Sequence, residues 1–214
     1  MIFVSFEPHV ILLNNLNFRY MAKLYFYYSA MNAGKTTTLL QSSHNYEERG
    51  MSTVLLKPKT DDREATTEIV SRIGLSAKAT IFFNTDDLYN LIIDISEKHE
   101  ISCILVDEGQ FLTKKQVNQL SDVVDFAAIP VLVYGIRTDF QGNLFEGSHQ
   151  LLAIADELIE IKTICHCGRK ATMVIRLGSD NRPMQTGAQI QVGGNETYIS
   201  LCRKHCKKAL TDNI

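Results

Sequence analysis

The sequence predicts an α/β fold, with a doubly wound parallel sheet followed by a small subdomain of different composition. From residue 23 to residue 162, short apolar runs alternate with amphipathic stretches, which is typical of successive β–α–β units. After Lys162 the alternation stops, and cysteines, glycines and short β-like runs take its place. A chain of 214 residues is long enough for one well-packed domain and an appendage of this kind.

Apolar runs predict the strands. In the main domain they cover residues 23–28, 53–56, 101–106 and 130–136. The third run is almost continuously apolar, as expected of a parallel strand that is covered on both faces. Residues 59–80 are polar and rich in threonine and charge, and they predict a long loop with little regular structure. Residues 172–177 and 198–201 predict short strands in the subdomain.

Helices are predicted between these strands. The first runs from Lys35 to about residue 48 and ends before Gly50. The second is capped by residues 84–87, and a Thr113–Gln116 capping box opens the third. A fourth covers residues 148–157. The apolar stripes are Leu88, Leu91, Ile92 and Ile95 in the second helix, and Val117, Leu120 and Val124 in the third.

A phosphate-binding motif follows the first predicted strand and opens the first helix. Its residues are Ser29, Ala30, Met31, Asn32, Ala33, Gly34, Lys35 and Thr36. In such a loop the backbone N–H groups surround the phosphates, the lysine reaches the β- and γ-phosphates, and the threonine hydroxyl coordinates Mg²⁺. Ser29 replaces the first glycine of the strict pattern, which costs about 1 kcal/mol if that position needs a positive φ. The motif predicts a P-loop sheet that binds ATP with Mg²⁺.

Two carboxylates end the third predicted strand. Asp107 is the natural partner of Thr36 in the Mg²⁺ shell. Glu108 lies beside it at the carboxyl end of the strand, where ligands of open α/β sheets bind. There it either aligns a water for ATP hydrolysis or takes a proton from an acceptor hydroxyl. These motifs alone indicate ATP-dependent phosphoryl transfer or hydrolysis.

Two groups of cysteine and histidine predict a structural zinc site. Cys165 and Cys167 form the first group, and the second begins at Cys202. We favour Cys165, Cys167, Cys202 and His205 as the ligands. Because four protein ligands leave no open position, a structural zinc is favoured over a catalytic one. Cys206 in place of His205, and His166 as a substitute, stay open. Cys103, inside an apolar strand, is expected in the core.

Charge and cysteine content limit the partners and the compartment. With 22 basic and 24 acidic side chains the net charge is −2, so no broad positive field is available for nucleic acid or an anionic membrane. The basic cluster at residues 203–208 is expected to be a solvated tail or a weak guide for anions. No apolar run approaches the roughly 20 residues that span a bilayer. Five cysteines, an odd number, favour a reducing, cytoplasmic compartment over a disulfide framework.

The expected domain boundaries follow from these patterns. Residues 1–20 lack a clear period and only faintly resemble a signal peptide, so we expect a disordered tail or sequence upstream of a start at Met21. Residues 21–162 form the nucleotide-binding α/β domain. Residues 163–210 form the zinc-binding subdomain, and residues 211–214 a C-terminal tail.

Four ordered runs resemble the zinc-containing, type II thymidine kinases, and in detail their bacterial branch. The runs are residues 31–36 (MNAGKT), 107–111 (DEGQF), 134–140 (YGIRTDF) and 193–198 (GGNETY). The resemblance spans about residues 21–210. It implies transfer of the γ-phosphoryl group of ATP to the 5′-hydroxyl of thymidine in deoxynucleotide salvage. It also implies a homotetramer and feedback inhibition by thymidine triphosphate.

The resemblance further implies roles for individual residues. Glu108 matches the general base, and Arg63 matches a residue that offsets charge on the transferring group. Besides the phosphate loop, the positions matching the ATP and Mg²⁺ side are Asp61, Asp62, Arg63, Asp107, Glu108, Gly109 and Gln110. Those matching the nucleoside side are Met31, Phe111, Phe140, Phe145, Gln189, Ile190, Gln191, Val192, Gly193 and Tyr198. The zinc would hold the bases of the long loop that grips the thymine.

The sequence departs from the family pattern at several positions, and two other functions are kept as alternatives. The first cysteine pair is shorter by one residue than in other branches, and Gln189 and Gln191 are polar where some members carry valine. Without the resemblance, Phe140 and Phe145 would be assigned to the core. The alternative functions are a zinc-ribbon ATPase with a nucleic-acid or protein partner, and a kinase for another nucleoside such as deoxycytidine or uridine.

Overall fold

A six-stranded parallel sheet forms the centre of the computed structural model, which describes residues 22–59, 67–189 and 197–211. The strands of the main domain are β1 (Leu24–Ser29), β2 (Thr53–Pro58), β3 (Glu68–Val70), β4 (Ser76–Lys78), β5 (Thr80–Phe82), β6 (Cys103–Val106), β7 (Val131–Ile136) and β8 (Glu157–Glu160). The order across the sheet is β5-β2-β6-β7-β1-β8, and every neighbouring pair is parallel. The predicted parallel α/β sheet is confirmed.

Helices cover both faces of this sheet. They are α1 (Lys35–Glu47), α2 (Leu88–Ser96), α3 (Lys114–Ala127) and α4 (Glu146–Ile154). On one face, Ile104 and Val106 pack in a core with residues of α2, α3 and α4. On the other face, Cys103 and Leu105 pack with residues of α1. Adjacent residues of β6 therefore enter opposite cores, which is why that strand is apolar throughout.

The predicted helix starts are confirmed at α2 and α3. The Asp87 side chain accepts a hydrogen bond from the Asn90 N–H at 3.0 Å and caps α2. At α3, the Thr113 hydroxyl accepts from the Gln116 N–H and the Gln116 side chain accepts from the Thr113 N–H, both at 3.2 Å. This is the reciprocal capping box that the sequence predicts.

Two predictions for the main domain were wrong. The loop predicted over residues 59–80 contains the β3–β4 hairpin, and β5 begins at its end and pairs with β2. The helix predicted over residues 148–157 instead runs over Glu146–Ile154, and Glu157 starts the edge strand β8, which pairs with β1. Both missed sheet strands are short edge strands, whose stability comes from pairing with distant residues rather than from local pattern.

The C-terminal subdomain has its own small core. Its elements are β9 (Thr163–Ile164), β10 (Lys170–Ala171), β11 (Met173–Arg176), β12 (Tyr198–Leu201) and α5 (Arg203–Thr211). β9 pairs with β10, and β11 with β12, both antiparallel. The buried cluster consists of Cys165, Ala171, Ile175, Leu201, Cys202 and Cys206. Two apolar runs thus form the strands that the sequence predicts.

The basic cluster lies on helix α5, so its assignment as a tail was wrong. Arg203, Lys204, Lys207 and Lys208 are exposed, while Cys206 points into the small core. The helix is amphipathic, and its charged side chains occupy the solvent face. Of the tail expected at residues 211–214, Thr211 ends α5, and residues 212–214 lie outside the described residues, as do the tail expected at residues 1–20 and the start at Met21. Among the helices of the described ranges, none has the length and apolar character needed to cross a membrane.

Candidate active site and metal centre

The phosphate loop connects β1 to α1 at the carboxyl edge of the sheet. Asn32 and Gly34 adopt left-handed conformations with φ of 61° and 83°. Asparagine and glycine tolerate this region better than other residues. Ser29 ends β1 and is not among the described residues with positive φ, so replacing the usual glycine costs no backbone strain there. The loop directs the N-terminus of α1 toward the edge where anions bind.

The Lys35 ammonium lies buried inside this loop. It donates hydrogen bonds to Ser29 Oγ at 3.2 Å and to the Ala30 carbonyl at 3.3 Å. Burial lowers the pKa of Lys35, while the nearby carboxylates of Glu108 and Asp107 oppose that shift. The cation is therefore held close to both predicted carboxylates at the start of α1.

The predicted Mg²⁺ pair is in contact. Thr36 Oγ1 donates to Asp107 Oδ2 at 3.1 Å, joining the first turn of α1 to the end of β6. Burial, with the neighbouring charge of Glu108, raises the pKa of Asp107 well above its usual range. A hydroxyl and a buried carboxylate at this distance are a donor set that suits a hard divalent cation.

Glu108 is held in a fixed orientation immediately after β6. Its backbone is left-handed, with φ of 51°, and its N–H donates to Asp107 Oδ1 at 3.0 Å. Gln110 Nε2 donates to Glu108 Oε2, and Gln110 Oε1 accepts from the Ile136 N–H at 3.1 Å. Because Gln110 is only 3% exposed, its amide connects the Glu108 carboxylate to the end of β7 with little freedom to move.

Glycines allow the turn that carries Glu108 to pack tightly on the sheet. A Cβ at Gly109 would lie 2.2 Å from Val133 Cγ1. On the other side, a Cβ at Gly147 in α4 would lie 2.4 Å from the Gly109 carbonyl oxygen. The short 3₁₀ turn Gly109–Phe111 is therefore held between β7 and α4 at van der Waals distance.

A cleft of about 250 Å³ opens beside this turn. It is lined by Lys59, Asn84, Gln110, Phe111, Leu112, Thr113, Phe145, Glu146 and Gln189. Phe111 and Phe145 meet edge to face, with ring centroids 6.0 Å apart. Three predicted nucleoside-side residues, Phe111, Phe145 and Gln189, thus share one cleft with the Gln110 side chain that orients Glu108. The other lining residues were not predicted from the sequence. Asn84 and Thr113 were assigned to helix caps, and Leu112 carries no sequence signal for a binding site.

The remaining predicted nucleoside residues lie around the junction with the subdomain. Met31 is half-buried, and its carbonyl accepts from Ser200 Oγ of β12 at 2.6 Å. Gln189 Nε2 donates to the buried Asp139 carboxylate at 3.0 Å. Phe140 is buried below the Arg176 guanidinium and is not one of the residues that line the cleft. Tyr198 is half-buried at the start of β12. The predicted site residues outside the described ranges are Asp61, Asp62, Arg63, Ile190, Gln191, Val192 and Gly193.

The four favoured zinc ligands come together in the subdomain. The ligand atoms of Cys165, Cys167, Cys202 and His205 all lie within 4.8 Å of one another. Cys167 Sγ lies 3.9 Å from Cys202 Sγ, and His205 Nδ1 lies 3.3 Å from Cys165 Sγ. Bond lengths of about 2.3 Å to sulfur and 2.0 Å to nitrogen give tetrahedral edges of about 3.8 and 3.5 Å, so this set fits zinc.

The alternative zinc ligands have other surroundings. Cys206 is buried in the small core, and burial raises its pKa. The His166 ring stacks on His205 with centroids 4.3 Å apart. Although burial opposes ionisation of Cys165, hydrogen bonds from the backbone of Cys202 and Cys167 lower its pKa. A thiolate at that position favours metal binding.

Comparison with known proteins agrees with this arrangement. The family model described as "Thymidine kinase" matches residues 22–206. A thymidine kinase of Shewanella oneidensis is 56% identical over 192 residues, covering 90% of this chain and 100% of that protein. Thymidine kinases of Rhodopirellula baltica and Salmonella typhimurium are 57% and 58% identical, covering 89% and 90% of this chain and 90% and 94% of those proteins. The chain therefore belongs to the thymidine kinase family.

Proposed function

We propose that this protein transfers the γ-phosphoryl group of ATP to the 5′-hydroxyl of thymidine, giving thymidine monophosphate and ADP in deoxynucleotide salvage. The observation that carries the proposal is the fixed position of Glu108. Gln110 orients its carboxylate at the sheet edge, beside the Thr36–Asp107 pair and next to the cleft that Gln110 itself lines. A carboxylate placed between a phosphate loop and an aromatic cleft suits phosphoryl transfer to an alcohol.

The phosphate side uses the loop, its lysine and a divalent cation. Backbone N–H groups of residues 29–36 and the start of α1 bind the phosphates, and Lys35 neutralises charge on the β- and γ-phosphates. Thr36 and Asp107 would hold Mg²⁺, which supplies further charge neutralisation at the transferring group. Gly109 and Gln110 border the nucleotide. Asp61, Asp62 and Arg63 are proposed for the same side by resemblance, with Arg63 offsetting charge in the transition state.

Glu108 acts as the general base. Its carboxylate takes the proton of the 5′-hydroxyl as the oxygen attacks the γ-phosphorus, and ADP leaves on the opposite side. A base must be aimed before the substrate arrives if it is to accelerate the reaction fully. The hydrogen bond from Gln110, itself fixed by the Ile136 N–H, supports this orientation.

The thymine is proposed to bind at the junction of the two parts of the chain. Phe111 and Phe145 provide apolar faces that suit a flat methylated pyrimidine. By resemblance, Met31 and Phe140 complete the pocket and Tyr198 closes over the base. Gln189, Ile190, Gln191, Val192 and Gly193 would hold the base largely through main-chain atoms, so polar side chains at Gln189 and Gln191 are compatible with recognition.

Zinc is proposed to be structural. The four clustered residues would fill its coordination shell and leave no position for substrate. They join the turn after β9 to the start of α5, and the same core supports β11 and β12. The metal would therefore hold the subdomain that carries Gln189 and Tyr198, without taking part in the chemistry.

Further properties are proposed from family membership and charge. We expect a homotetramer, feedback inhibition by thymidine triphosphate and a cytoplasmic location. The net charge of −2 gives no support for nucleic acid or membrane as a partner. We retain the division into an α/β domain over residues 21–162 and a zinc-binding subdomain over residues 163–210.

The test is ADP release measured with a panel of nucleosides. We expect thymidine to stimulate ADP release by the full-length protein far more than deoxycytidine, uridine or no nucleoside. ADP release at one rate with and without nucleoside would instead indicate an ATPase, and DNA stimulation would favour a nucleic-acid partner. A stronger response to deoxycytidine or uridine would support a nucleoside kinase but would refute thymidine as its substrate.

A further inference from the structure

Arg176, the last residue of β11, is a buried cation that has no role in the phosphoryl transfer proposed above. Its side chain is 2% exposed, although a guanidinium is costly to remove from water. Nη1 donates to the Ala188 carbonyl at 2.8 Å, while Nε has no hydrogen-bond partner among the described residues. Incomplete hydrogen bonding makes Arg176 a poor choice for stability alone, so a positional role is the better explanation.

The guanidinium packs on the ring of Phe140. Its Cζ lies 3.9 Å from the ring centroid, and Phe140 is itself 3% exposed. At this separation the planar cation stacks on the aromatic face, an arrangement that arginine makes and lysine does not reproduce. Arg176 therefore fixes the position of a ring that belongs to the proposed thymine pocket.

The same guanidinium also holds the segment of residues 187–189. A Cβ at Gly187 would lie 2.3 Å from Arg176 Nη2, so the backbone there runs directly against the cation. Ala188 accepts its hydrogen bond, and Gln189 then binds Asp139, the residue before Phe140. One side chain thus connects Phe140 with the backbone that leads into the nucleoside side of the site.

Strand register explains how a subdomain residue reaches this position. Arg176 lies directly opposite Tyr198 in the antiparallel β11–β12 ribbon, so both side chains are on one face. Ser200, on that same face, donates to the Met31 carbonyl of the phosphate loop. The alternate residues Ile175 and Leu201 enter the core around the cysteine cluster.

We propose that Arg176 is a positioning residue for nucleoside recognition. By holding Phe140 and residues 187–189 in one arrangement, it sets the affinity for the nucleoside while leaving ATP binding unchanged. The guanidinium acts through these neighbours and does not touch the reacting atoms. This inference rests on the proposed thymidine kinase activity.

Steady-state kinetics of Arg176→Met and Arg176→Lys test the proposal. Loss of a charge-assisted hydrogen bond and an aromatic contact should raise the KM for thymidine by about tenfold or more in Arg176→Met. The KM for ATP and kcat should stay within about threefold, since uniform loss of nucleoside binding leaves the chemical step intact. Arg176→Lys keeps the charge but loses the planar fork, so its thymidine KM should rise by at least about fivefold. Arg182→Met, which changes an exposed arginine in the turn after β11, should retain wild-type constants.

A second variant covers the case in which removing Arg176 prevents folding. Gly187→Ala leaves the arginine in place, but its Cβ would lie 2.3 Å from Arg176 Nη2 and its backbone would be strained at a φ of 146°, so residues 187–189 should move away from the guanidinium and the thymidine KM should rise selectively. Wild-type protein that does not respond to thymidine would refute the proposed function itself. An active wild type with unchanged thymidine KM in both Arg176→Met and Gly187→Ala would overturn the inference alone. Equal increases in the KM of thymidine and ATP would do the same.

Discussion

The close approach of Gly109 to Val133 predicts that adding one methyl group at Gly109 displaces the Glu108 carboxylate, the proposed general base. In Gly109→Ala, the new Cβ would lie 2.2 Å from Val133 Cγ1, whereas apolar carbons normally approach to about 3.5–4.0 Å. The other nearest atoms, the Tyr134 carbonyl oxygen at 3.4 Å and Leu151 Cδ1 at 3.6 Å, are acceptable contacts. Almost the whole cost therefore comes from a single pair of atoms.

The magnitude follows from where Val133 lies. It is fully buried in the centre of β7, and its β-branched side chain has few alternative rotamers. Overpacking of this kind costs about 1–3 kcal/mol. If the turn moves to relieve it, Glu108 and Gln110 move with it, and a displacement of about 1 Å at such a residue lowers turnover by about 10²-fold. A protein of this size should also lose about 2–4 °C in Tm for each kcal/mol.

Thymidine-dependent ADP release and thermal unfolding should be measured in a double-mutant cycle with Val133→Ala. The single Val133→Ala change creates a cavity and lowers Tm, but it should leave kcat near the wild-type value. In Gly109→Ala/Val133→Ala the clash is removed, so kcat should recover to within about tenfold of the wild-type value. The free energies of unfolding should show a favourable coupling between the two changes of about 1 kcal/mol or more. Normal turnover in Gly109→Ala, or no coupling in the cycle, would refute the placement of Glu108 by this contact.

Three other predictions concern chemistry, metal and stability. Glu108→Gln should lower kcat by at least about 10² while equilibrium ATP binding is retained, and near-normal turnover would remove Glu108 from the mechanism. Metal analysis should find about one zinc per chain. Cys202→Ser should lose this zinc and should raise the thymidine KM more than the ATP KM, whereas Cys206→Ser should keep the zinc. A zinc-free protein with full activity would contradict the structural role of the metal. Thr113→Ala should lower the free energy of unfolding by about 1 kcal/mol in denaturant titrations through loss of the α3 cap, whereas Lys115→Ala, an exposed change on the same helix, should have little effect. Equal stability of the two variants would argue against the capping box.

The features that could be predicted from the sequence are those specified by neighbouring residues. The capping box of Thr113 and Gln116 depends on side chains three residues apart, and the phosphate loop depends on a strand, a short turn and a helix start. The cluster of candidate zinc ligands could also be predicted, because few residue types bind this metal and they occur in two close groups.

The missed features depend on contacts between distant parts of the chain. β5 is a three-residue strand that is stabilised by pairing with β2, and β8 is an edge strand that pairs with β1. The orientation of Glu108 requires Gln110 to reach the Ile136 N–H, which no local pattern indicates. Arg176 follows three apolar residues in β11, and its burial becomes apparent only when Phe140 is placed beneath it.

Successive side chains of β11 and β12 point to opposite faces of the ribbon, and this limits where residues can be inserted or deleted in the subdomain. One face supports the cysteine core and the other contacts the phosphate loop and Phe140, so inserting a single residue within either strand would exchange the two faces. Insertions or deletions between residues 177 and 197 leave that parity unchanged. A change in the number of residues between the two strands therefore leaves the side-chain faces of β11 and β12 as they are.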